Sequence, residues 1–167
     1  MKVFGLAGPS GSGKTTLLVR LIPELVRHGI TVSTMKHAHH GFDIDRPGKD
    51  SYEHRMAGAT EVLVSSPYRW ALLHEHRSEA EPTYEELVGL LAPVDLLLVE
   101  GWKFHSHSKI EVSRASQDHE ALWPSDPHIV AVASDGPLDD IGRPVFALDD
   151  IAGIADFIVD HLKLNAG

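Results

Sequence analysis

The residues with the clearest chemical meaning lie near the start of the chain, at Gly8–Thr15. They read Gly-Pro-Ser-Gly-Ser-Gly-Lys-Thr and fit the pattern G-x-x-x-x-G-K-[ST] at every position. Glycines at 11 and 13 let the backbone curl, so that successive amide groups point inward at phosphate oxygens. A helix beginning near Lys14 adds the positive end of its dipole. The segment predicts a phosphate-binding loop (P-loop), in which Lys14 reaches the β- and γ-phosphates and the Thr15 hydroxyl binds Mg²⁺.

A second acidic group is expected near this metal ion, usually at the end of another core strand. The apolar run Leu96–Val99 has a carboxylate on each side, Asp95 and Glu100. Parallel sheets bind ligands at the carboxyl ends of their strands, so Glu100 is the candidate. We expect Glu100 to bind Mg²⁺ through water or to orient an attacking water. Gly101 permits a close backbone approach, and Asp95 is expected in a helix-to-strand turn.

Asp135 follows the apolar run Ile129–Ala133 and is a candidate for base recognition. One carboxylate can accept from both N1–H and the 2-amino group of guanine, whereas adenine offers no such donor pair. A guanine site of this kind would discriminate by about 1–3 kcal/mol. The alternative stays open, because Asp-Gly-Pro is also a common turn composition.

The segment 37–50 shows no hydrophobic periodicity and contains several side chains that could bind a metal ion or another ligand. A loop of this length in a small domain is usually functional or disordered. Its imidazoles and carboxylates offer a transition-metal site, with His105 and His107 as a weaker pair elsewhere. The alternatives are contact with phosphate or a partner through basic side chains, and an outer Mg²⁺ ligand from Asp43 or Asp45. The residues concerned are Lys36, His37, His39, His40, Asp43, Asp45, Arg46 and Lys49.

Periodicity indicates which elements position these groups. Apolar and β-branched runs predict strands over 2–7, 31–35, 61–65, 69–74, 96–99, 109–114, 129–133 and 145–148, and helical spacing predicts helices over 14–27, 52–59, 83–91 and 151–162. The alternation predicts an α/β fold with a mostly parallel central sheet covered by helices on both faces. Segment 109–114 alternates in polarity and predicts a half-exposed strand. We expect it, or segment 61–74, to pair between subunits.

Composition limits the classes of function. The chain has 167 residues, which fits a single domain over 1–167, and it has no cysteine, which excludes disulfides and Cys-ligated metals. The net charge of −9 argues against nucleic-acid binding. Residues 1–60 nevertheless carry eight Lys and Arg against five Asp and Glu, so an anionic ligand is expected there. The longest apolar run has five residues, and the first residues lack a signal-peptide pattern, so we expect a cytoplasmic protein without a membrane segment.

Several segments, taken in order, resemble the MobB family of molybdopterin-guanine dinucleotide biosynthesis adaptor proteins. They are GSGKTT at 11–16, the long stretch Lys36–Ala59, RWAL at 69–72, LLLVEGWK at 96–103, KIEVSR at 109–114 and VAVASD at 130–135. The stretch Lys36–Ala59 is the specific part, because a P-loop alone fits many families. Trp102 stands where the family pattern has Phe, which is a mild aromatic exchange.

The resemblance implies a P-loop NTPase fold, GTP binding with weak hydrolysis at most, and a homodimer. It also implies a partner, the molybdenum cofactor guanylyltransferase that joins GMP to molybdopterin, and contact with molybdopterin itself is a further option. Segment 37–50 would face the active site or this partner. Carried onto this sequence, the residues implied to hold phosphates, Mg²⁺ and guanine are Gly11, Ser12, Gly13, Lys14, Thr15, Thr16, Glu100, Ser134 and Asp135.

Two other functions remain open at this point. One is a P-loop kinase or ATP-dependent ligase of the dethiobiotin synthetase type, which would turn over a small acceptor. The other is a His-rich metallochaperone GTPase, suggested by the 12 histidines. Arg46 and Arg114 are the candidates for an arginine finger, and neither is clearly placed, so slow hydrolysis is expected without a partner.

Overall fold

The computed structural model describes residues 1–38, 41–117 and 119–164. Twelve regular elements are present among them. In chain order they are β1 (Lys2–Ala7), α1 (Lys14–Arg27), β2 (Val32–Lys36), α2 (Asp50–Met56), β3 (Glu61–Ser65), β4 (Trp70–His74), α3 (Tyr84–Gly89), β5 (Leu96–Glu100), β6 (Lys109–Ser113), β7 (Ile129–Ser134), β8 (Val145–Ala147) and α4 (Ile151–Leu162). They form two compact units, one of residues 1–37 with 92–167 and one of residues 38–91. That the whole chain acts as one domain stays a prediction.

The first unit contains a six-stranded sheet in the order β2-β5-β1-β6-β7-β8. Every neighbouring pair of strands in it is parallel. The prediction of a mostly parallel central sheet is therefore confirmed. Because all six strands run the same way, the residues that follow them meet at one edge, and β1 with its following loop lies in the middle of the order.

Helices α1 and α4 pack on one face of this sheet. The cluster they share is apolar and contains alternate residues of the four central strands: Phe4, Leu6, Leu96, Leu98, Ile110, Val112, Ala131 and Ala133. Helix α1 contributes Leu17, Leu21 and Leu25 at helical spacing. Pro23 lies inside α1 without ending it, and the Asp150 carboxylate caps α4 by accepting from the Gly153 amide at 3.0 Å.

The opposite face of β6 buries polar side chains. Lys109 is 1% exposed, and its ammonium donates to Asp126 and to two backbone carbonyls. Glu111 is 0% exposed, and its carboxylate accepts from the amides of Leu122 and Trp123 at 2.9–3.0 Å. The expectation of a half-exposed strand that pairs between subunits is wrong for 109–114, because β6 lies between β1 and β7 and every one of its residues is buried.

The second unit contains α2, an antiparallel hairpin of β3 and β4, and α3. Glu61 pairs with His74 at one end of the hairpin and Ser65 with Trp70 at the other. Large apolar side chains of the hairpin are exposed, among them Leu63, Trp70 and Leu72. Helix α3 begins with a reciprocal cap between Thr83 and Glu86. In the part of the chain that the structure describes, no helix combines the length and apolarity that crossing a membrane requires.

Candidate functional site

The predicted P-loop lies at the carboxyl edge of the six-stranded sheet, between β1 and α1. Lys36, Glu100 and Ser134 are the last residues of β2, β5 and β7, and Arg114 directly follows β6. Parallel register places these residues on the same edge as the loop. The sheet therefore brings together residues that are far apart in the chain, such as Thr15 and Glu100, which are separated by 85 positions.

The loop backbone requires glycine at position 13. Gly13 has φ +103°, a left-handed conformation that side chains disfavour, and it immediately precedes α1. A Cβ atom at this position would lie 2.9 Å from Nη2 of Arg114. Both the turn into the helix and the close approach of Arg114 depend on the missing side chain.

Thr15 and Glu100 are in direct contact. The Thr15 hydroxyl donates to the Glu100 carboxylate and lies 3.1 Å from each of its oxygens. Lys36 approaches the same carboxylate, with Nζ 3.7 Å from Oε1. Glu100 itself is 9% exposed. A hydroxyl and a carboxylate side by side are the hard oxygen donors that Mg²⁺ prefers.

Gly101 brings a second segment close to Glu100, as expected. It has φ +96°, and a Cβ there would lie 2.8 Å from the carbonyl oxygen of His37. The His37 amide donates to the Glu100 carbonyl at 2.9 Å, and the His37 ring lies 4.9 Å from that of Trp102.

Asp95, at the other end of β5, accepts from the amide and hydroxyl of Thr31, which fits the predicted turn role.

The Lys14 side chain folds back over the first residues of the P-loop. Its ammonium donates to the carbonyls of Gly8 at 3.1 Å and Pro9 at 2.7 Å. Burial lowers the pKa of Lys14, the Glu100 charge opposes that shift, and the charges of Lys103 and Lys36 add to it. An ammonium that is repelled by two other cations, and whose hydrogen-bond partners among the described residues are neutral carbonyls, is suited to exchange those bonds for an anion.

Ser12 has an unsatisfied polar atom at the loop. Its side chain is 0% exposed, and its hydroxyl lacks a hydrogen-bond partner among the described residues. A buried hydroxyl without a partner costs free energy. Gln117 borders the same loop and donates from Nε2 to the Ser10 carbonyl at 3.2 Å. Thr16, the last residue of the predicted phosphate-binding stretch 11–16, is exposed.

Arg114 connects the loop to the predicted base-recognition residue. Its Nε donates to the Ser12 carbonyl at 2.9 Å and its Nη1 to Oδ2 of Asp135 at 3.1 Å. The other Asp135 oxygen accepts from the Ala115 amide at 2.8 Å, and these bonds, that of Ala115 first, lower the pKa of Asp135. The Ser134 hydroxyl accepts from the Gly136 amide at 3.1 Å. Asp135 is thus tied to the P-loop through one guanidinium.

Asp45 lies in the second unit, among acidic groups around Arg55. Arg55 donates to both oxygens of Asp45 and also to Asp43 and Glu75. These bonds, that of Asp45 first, raise the pKa of Arg55. Both oxygens of Asp45 are therefore engaged by a cation, and its role as a Mg²⁺ ligand stays a prediction.

The histidine loop is only partly described. His39 and His40 lie outside the described residues, so a site built from His37, His39 and His40 stays a prediction. In the weaker pair the rings of His105 and His107 are 6.3 Å apart. Burial, followed by the charge of Lys109, lowers the pKa of His107 to about 4.

Sequence reasoning missed three polar clusters. They are the Arg55 cluster, the buried Lys109–Asp126 pair, and a group formed by His74, His76 and Glu79. The spacing His-x-His-x-x-Glu at 74–79 was the available signal for the last group. The first two join residues whose sequence spacing carries no recognisable pattern.

Comparison with known proteins gives a consistent result. A family model described as "MobB: Molybdopterin guanine dinucleotide synthesis protein B" matches residues 3–135. The chain is 42% identical to the molybdopterin-guanine dinucleotide biosynthesis adapter protein of Escherichia coli K12, over 99% of this chain and 95% of that protein. It is 39% identical to the adapter protein of the same name from Haemophilus influenzae, over 96% and 89%.

A solved structure agrees with this result. The crystal structure of a MobB homologue from Bacillus stearothermophilus has a TM-score of 0.72 at 27% identity, covering 98% of this chain and 99% of that one. The resemblance noted from the sequence, the arrangement of P-loop and sheet, and the similarity over nearly the full length thus agree, and the chain belongs to the MobB family.

Proposed function

We propose that this chain is a GTP-binding adapter of molybdopterin-guanine dinucleotide biosynthesis, which assists the enzyme that attaches GMP to molybdopterin. The similarity to adapter proteins supports the pathway. The single observation that carries nucleotide binding is the contact of Thr15 with Glu100 at the end of a P-loop. That contact joins the two groups that a nucleotide-bound Mg²⁺ requires in P-loop proteins.

The residues present fit a phosphate chain with Mg²⁺. The buried Ser12 hydroxyl, which has no partner among the described residues, is available to a ligand oxygen. The loop Gly11–Thr16 would hold the phosphates, with Lys14 exchanging its carbonyl partners for phosphate oxygens. Thr15 and Glu100 would hold Mg²⁺, which neutralises phosphate charge when bound.

Guanine recognition is the part of the proposal that rests on Asp135. Its carboxylate already accepts two N–H donors, from Arg114 and Ala115. Guanine presents the same kind of donor pair, so it would replace one or both of these bonds rather than create a new type of contact. Ser134 lies beside Asp135 at the end of β7 and would support the same pocket.

Hydrolysis would be weak. Arg114 is an arginine that reaches the loop backbone, and its guanidinium is engaged by the Ser12 carbonyl and by Asp135. An arginine finger must instead be free to stabilise charge on the transferred phosphoryl group. Weak turnover suits a protein whose partner would respond to the bound nucleotide and not to its hydrolysis.

A homodimer is part of the proposal and is supported by the β3–β4 hairpin. Leu63 is 65% exposed, Trp70 71% and Leu72 48%, which is a large apolar content for a short hairpin. A second copy would cover these side chains.

The working compartment would be the cytoplasm, because it supplies GTP and Mg²⁺. Molybdopterin, an anion, would be attracted by the cations near the loop, Lys36 and Lys103.

The adapter role is tested with the purified chain and the molybdenum cofactor guanylyltransferase. We expect co-purification of the two proteins and a higher yield of molybdopterin guanine dinucleotide when the chain and GTP are added together. Lys14→Ala should lose the GTP-dependent part of the gain. Turnover of a small acceptor with ATP, or an unchanged yield in the presence of the chain, would contradict the adapter role.

A further inference from the structure

The structure assigns a divalent transition-metal site to His74, His76 and Glu79, in the unit of residues 38–91. We propose that this site takes Zn²⁺ or a similar ion with an affinity for imidazole. It is independent of the nucleotide proposal, because none of the three residues belongs to the P-loop or to the strand ends around it.

The three side chains converge. Each offers one ligand atom, and these atoms all lie within 4.8 Å of one another. Nε2 of His74 is 3.2 Å from a carboxylate oxygen of Glu79. Two ligands of a tetrahedral Zn²⁺ are separated by about 3.4 Å when each bond is about 2.1 Å long. The centres of the His74 and His76 rings are 5.4 Å apart, so the two imidazoles are close neighbours.

A second carboxylate orients the first histidine. Glu61 lies directly opposite His74 in the hairpin, and its Oε1 is 2.9 Å from Nδ1 of His74. Metal-binding histidines generally use their other ring nitrogen in this way, because the bond fixes the ring and strengthens the ligand nitrogen. Glu61 therefore supplies a feature that a chance pairing of surface histidines would lack.

The backbone after β4 is fixed in a form that presents the ligands together. Arg77 adopts φ +50°, a conformation uncommon for a residue with a side chain. Its guanidinium donates to the carbonyls of Arg55 and Ala59, at 2.9 Å each. The Glu79 amide donates to the His76 carbonyl at 2.6 Å, which closes the turn between the two ligands.

The donor set indicates the class of ion. Two imidazoles and one carboxylate suit Zn²⁺, Co²⁺, Ni²⁺ or Cu²⁺, whereas Mg²⁺ and Ca²⁺ prefer oxygen ligands alone. Three protein ligands leave a coordination position for water or another group, and all three residues are exposed. The ion would therefore enter directly from solution, without opening of the fold.

The test is a Zn²⁺ titration of the full chain against a colorimetric chelator, with Mg²⁺ in excess. We expect one equivalent of Zn²⁺ per chain, and Co²⁺ should give the visible absorption of a low-coordinate site. His74→Gln combined with His76→Gln should abolish stoichiometric binding. Glu61→Gln should weaken it by about 10–100-fold, because it removes only the supporting carboxylate.

Three comparisons keep the result unambiguous. His54→Gln is the matched histidine control, and Lys14→Ala, which disables the P-loop, should leave Zn²⁺ binding unchanged. Simultaneous replacement of His37, His39 and His40 by Gln tests the other histidine cluster. Stoichiometric binding that survives the His74 and His76 changes, or that disappears with the His37 cluster, would overturn the assignment, as would no binding at all. Far-ultraviolet circular dichroism verifies that each variant is folded.

Discussion

The Thr15 hydroxyl lies 3.1 Å from both carboxylate oxygens of Glu100, although the two residues are 85 positions apart in the chain. Thr15 is in the first turn of α1 and Glu100 is the last residue of β5. Parallel pairing of β1 with β5 sets this distance, since it brings the P-loop and the end of β5 to one edge of the sheet.

Replacing either member of this pair should remove the Mg²⁺-dependent part of GTP binding. We expect Thr15→Ala and Glu100→Gln to weaken GTP binding about tenfold or more in Mg²⁺, equivalent to roughly 1.4 kcal/mol. With a chelator present, the variants and the wild type should bind alike. Thr60→Ala is the matched control, and calorimetry is the measurement. Full Mg²⁺ dependence in either variant would show that the pair does not hold the ion.

Gly13→Ala should disable the loop without unfolding the protein. The added Cβ meets Nη2 of Arg114 at 2.9 Å and the residue must keep φ +103°. The cost is about 1–2 kcal/mol of stability for the left-handed backbone, together with a large loss of GTP affinity. Gly41→Ala is the control, because a Cβ there meets nothing within 4 Å. Denaturant unfolding and GTP titration measure the two effects, and unchanged GTP affinity would speak against the loop assignment.

Asp135→Asn should reduce the preference for GTP over ATP. The amide presents a donor where guanine also presents donors, so the pairing is lost. We expect the ratio of the two affinities to fall by about 5–150-fold, corresponding to about 1–3 kcal/mol. Asp139→Asn, in the exposed segment that follows, is the control. Equal binding of GTP and ATP by the wild-type protein would refute a specificity role for Asp135.

Glu111→Gln should destabilise the fold although it removes only a charge. The carboxylate is fully buried and accepts from the amides of Leu122 and Trp123. A carboxamide offers one oxygen and would turn an N–H group toward these donors, at a cost of about 1–3 kcal/mol. Glu120→Gln is the exposed control. Urea unfolding checks the prediction, and equal stability of the two variants would contradict it.

His107 should make stability depend on pH in the acidic range. Burial lowers the pKa of His107 to about 4 in the folded state, below the ordinary imidazole pKa of about 6.5, so the unfolded chain binds the proton first as pH falls. Its contribution to the free energy of unfolding is therefore lost between about pH 6.5 and pH 4. His107→Gln should flatten this part of the stability profile, and His54→Gln should not. Parallel profiles for wild type and His107→Gln would contradict the assignment.

Local patterns predicted most of the fold, because helices and strands here follow their hydrophobic spacing closely. The structure has every predicted helix and strand, and no boundary differs from its predicted position by more than three residues. The position of Glu100 beside segment 8–15 was also predictable, since the residues that follow parallel strands meet at one edge of the sheet.

Burial of polar residues was not predictable in the same way. Lys109 and Glu111 alternate with apolar residues, which is typical of a half-exposed strand, yet their partners are Asp126 and the backbone at 122–123. Arg114 and Asp135 are likewise joined by tertiary contact alone. A sequence pattern reports the period of an element, but not which loop will cover its polar face.

Nucleotide binding at the P-loop is tested most directly by a calorimetric titration of the chain with GTP, with and without Mg²⁺, beside the Lys14→Ala variant. We expect one GTP per chain, tighter binding with Mg²⁺ than without it, and a loss of affinity of at least about tenfold in the Lys14 variant. Full GTP affinity in Lys14→Ala would contradict binding of the nucleotide at Gly8–Thr15, and so would the absence of GTP binding by the wild-type chain.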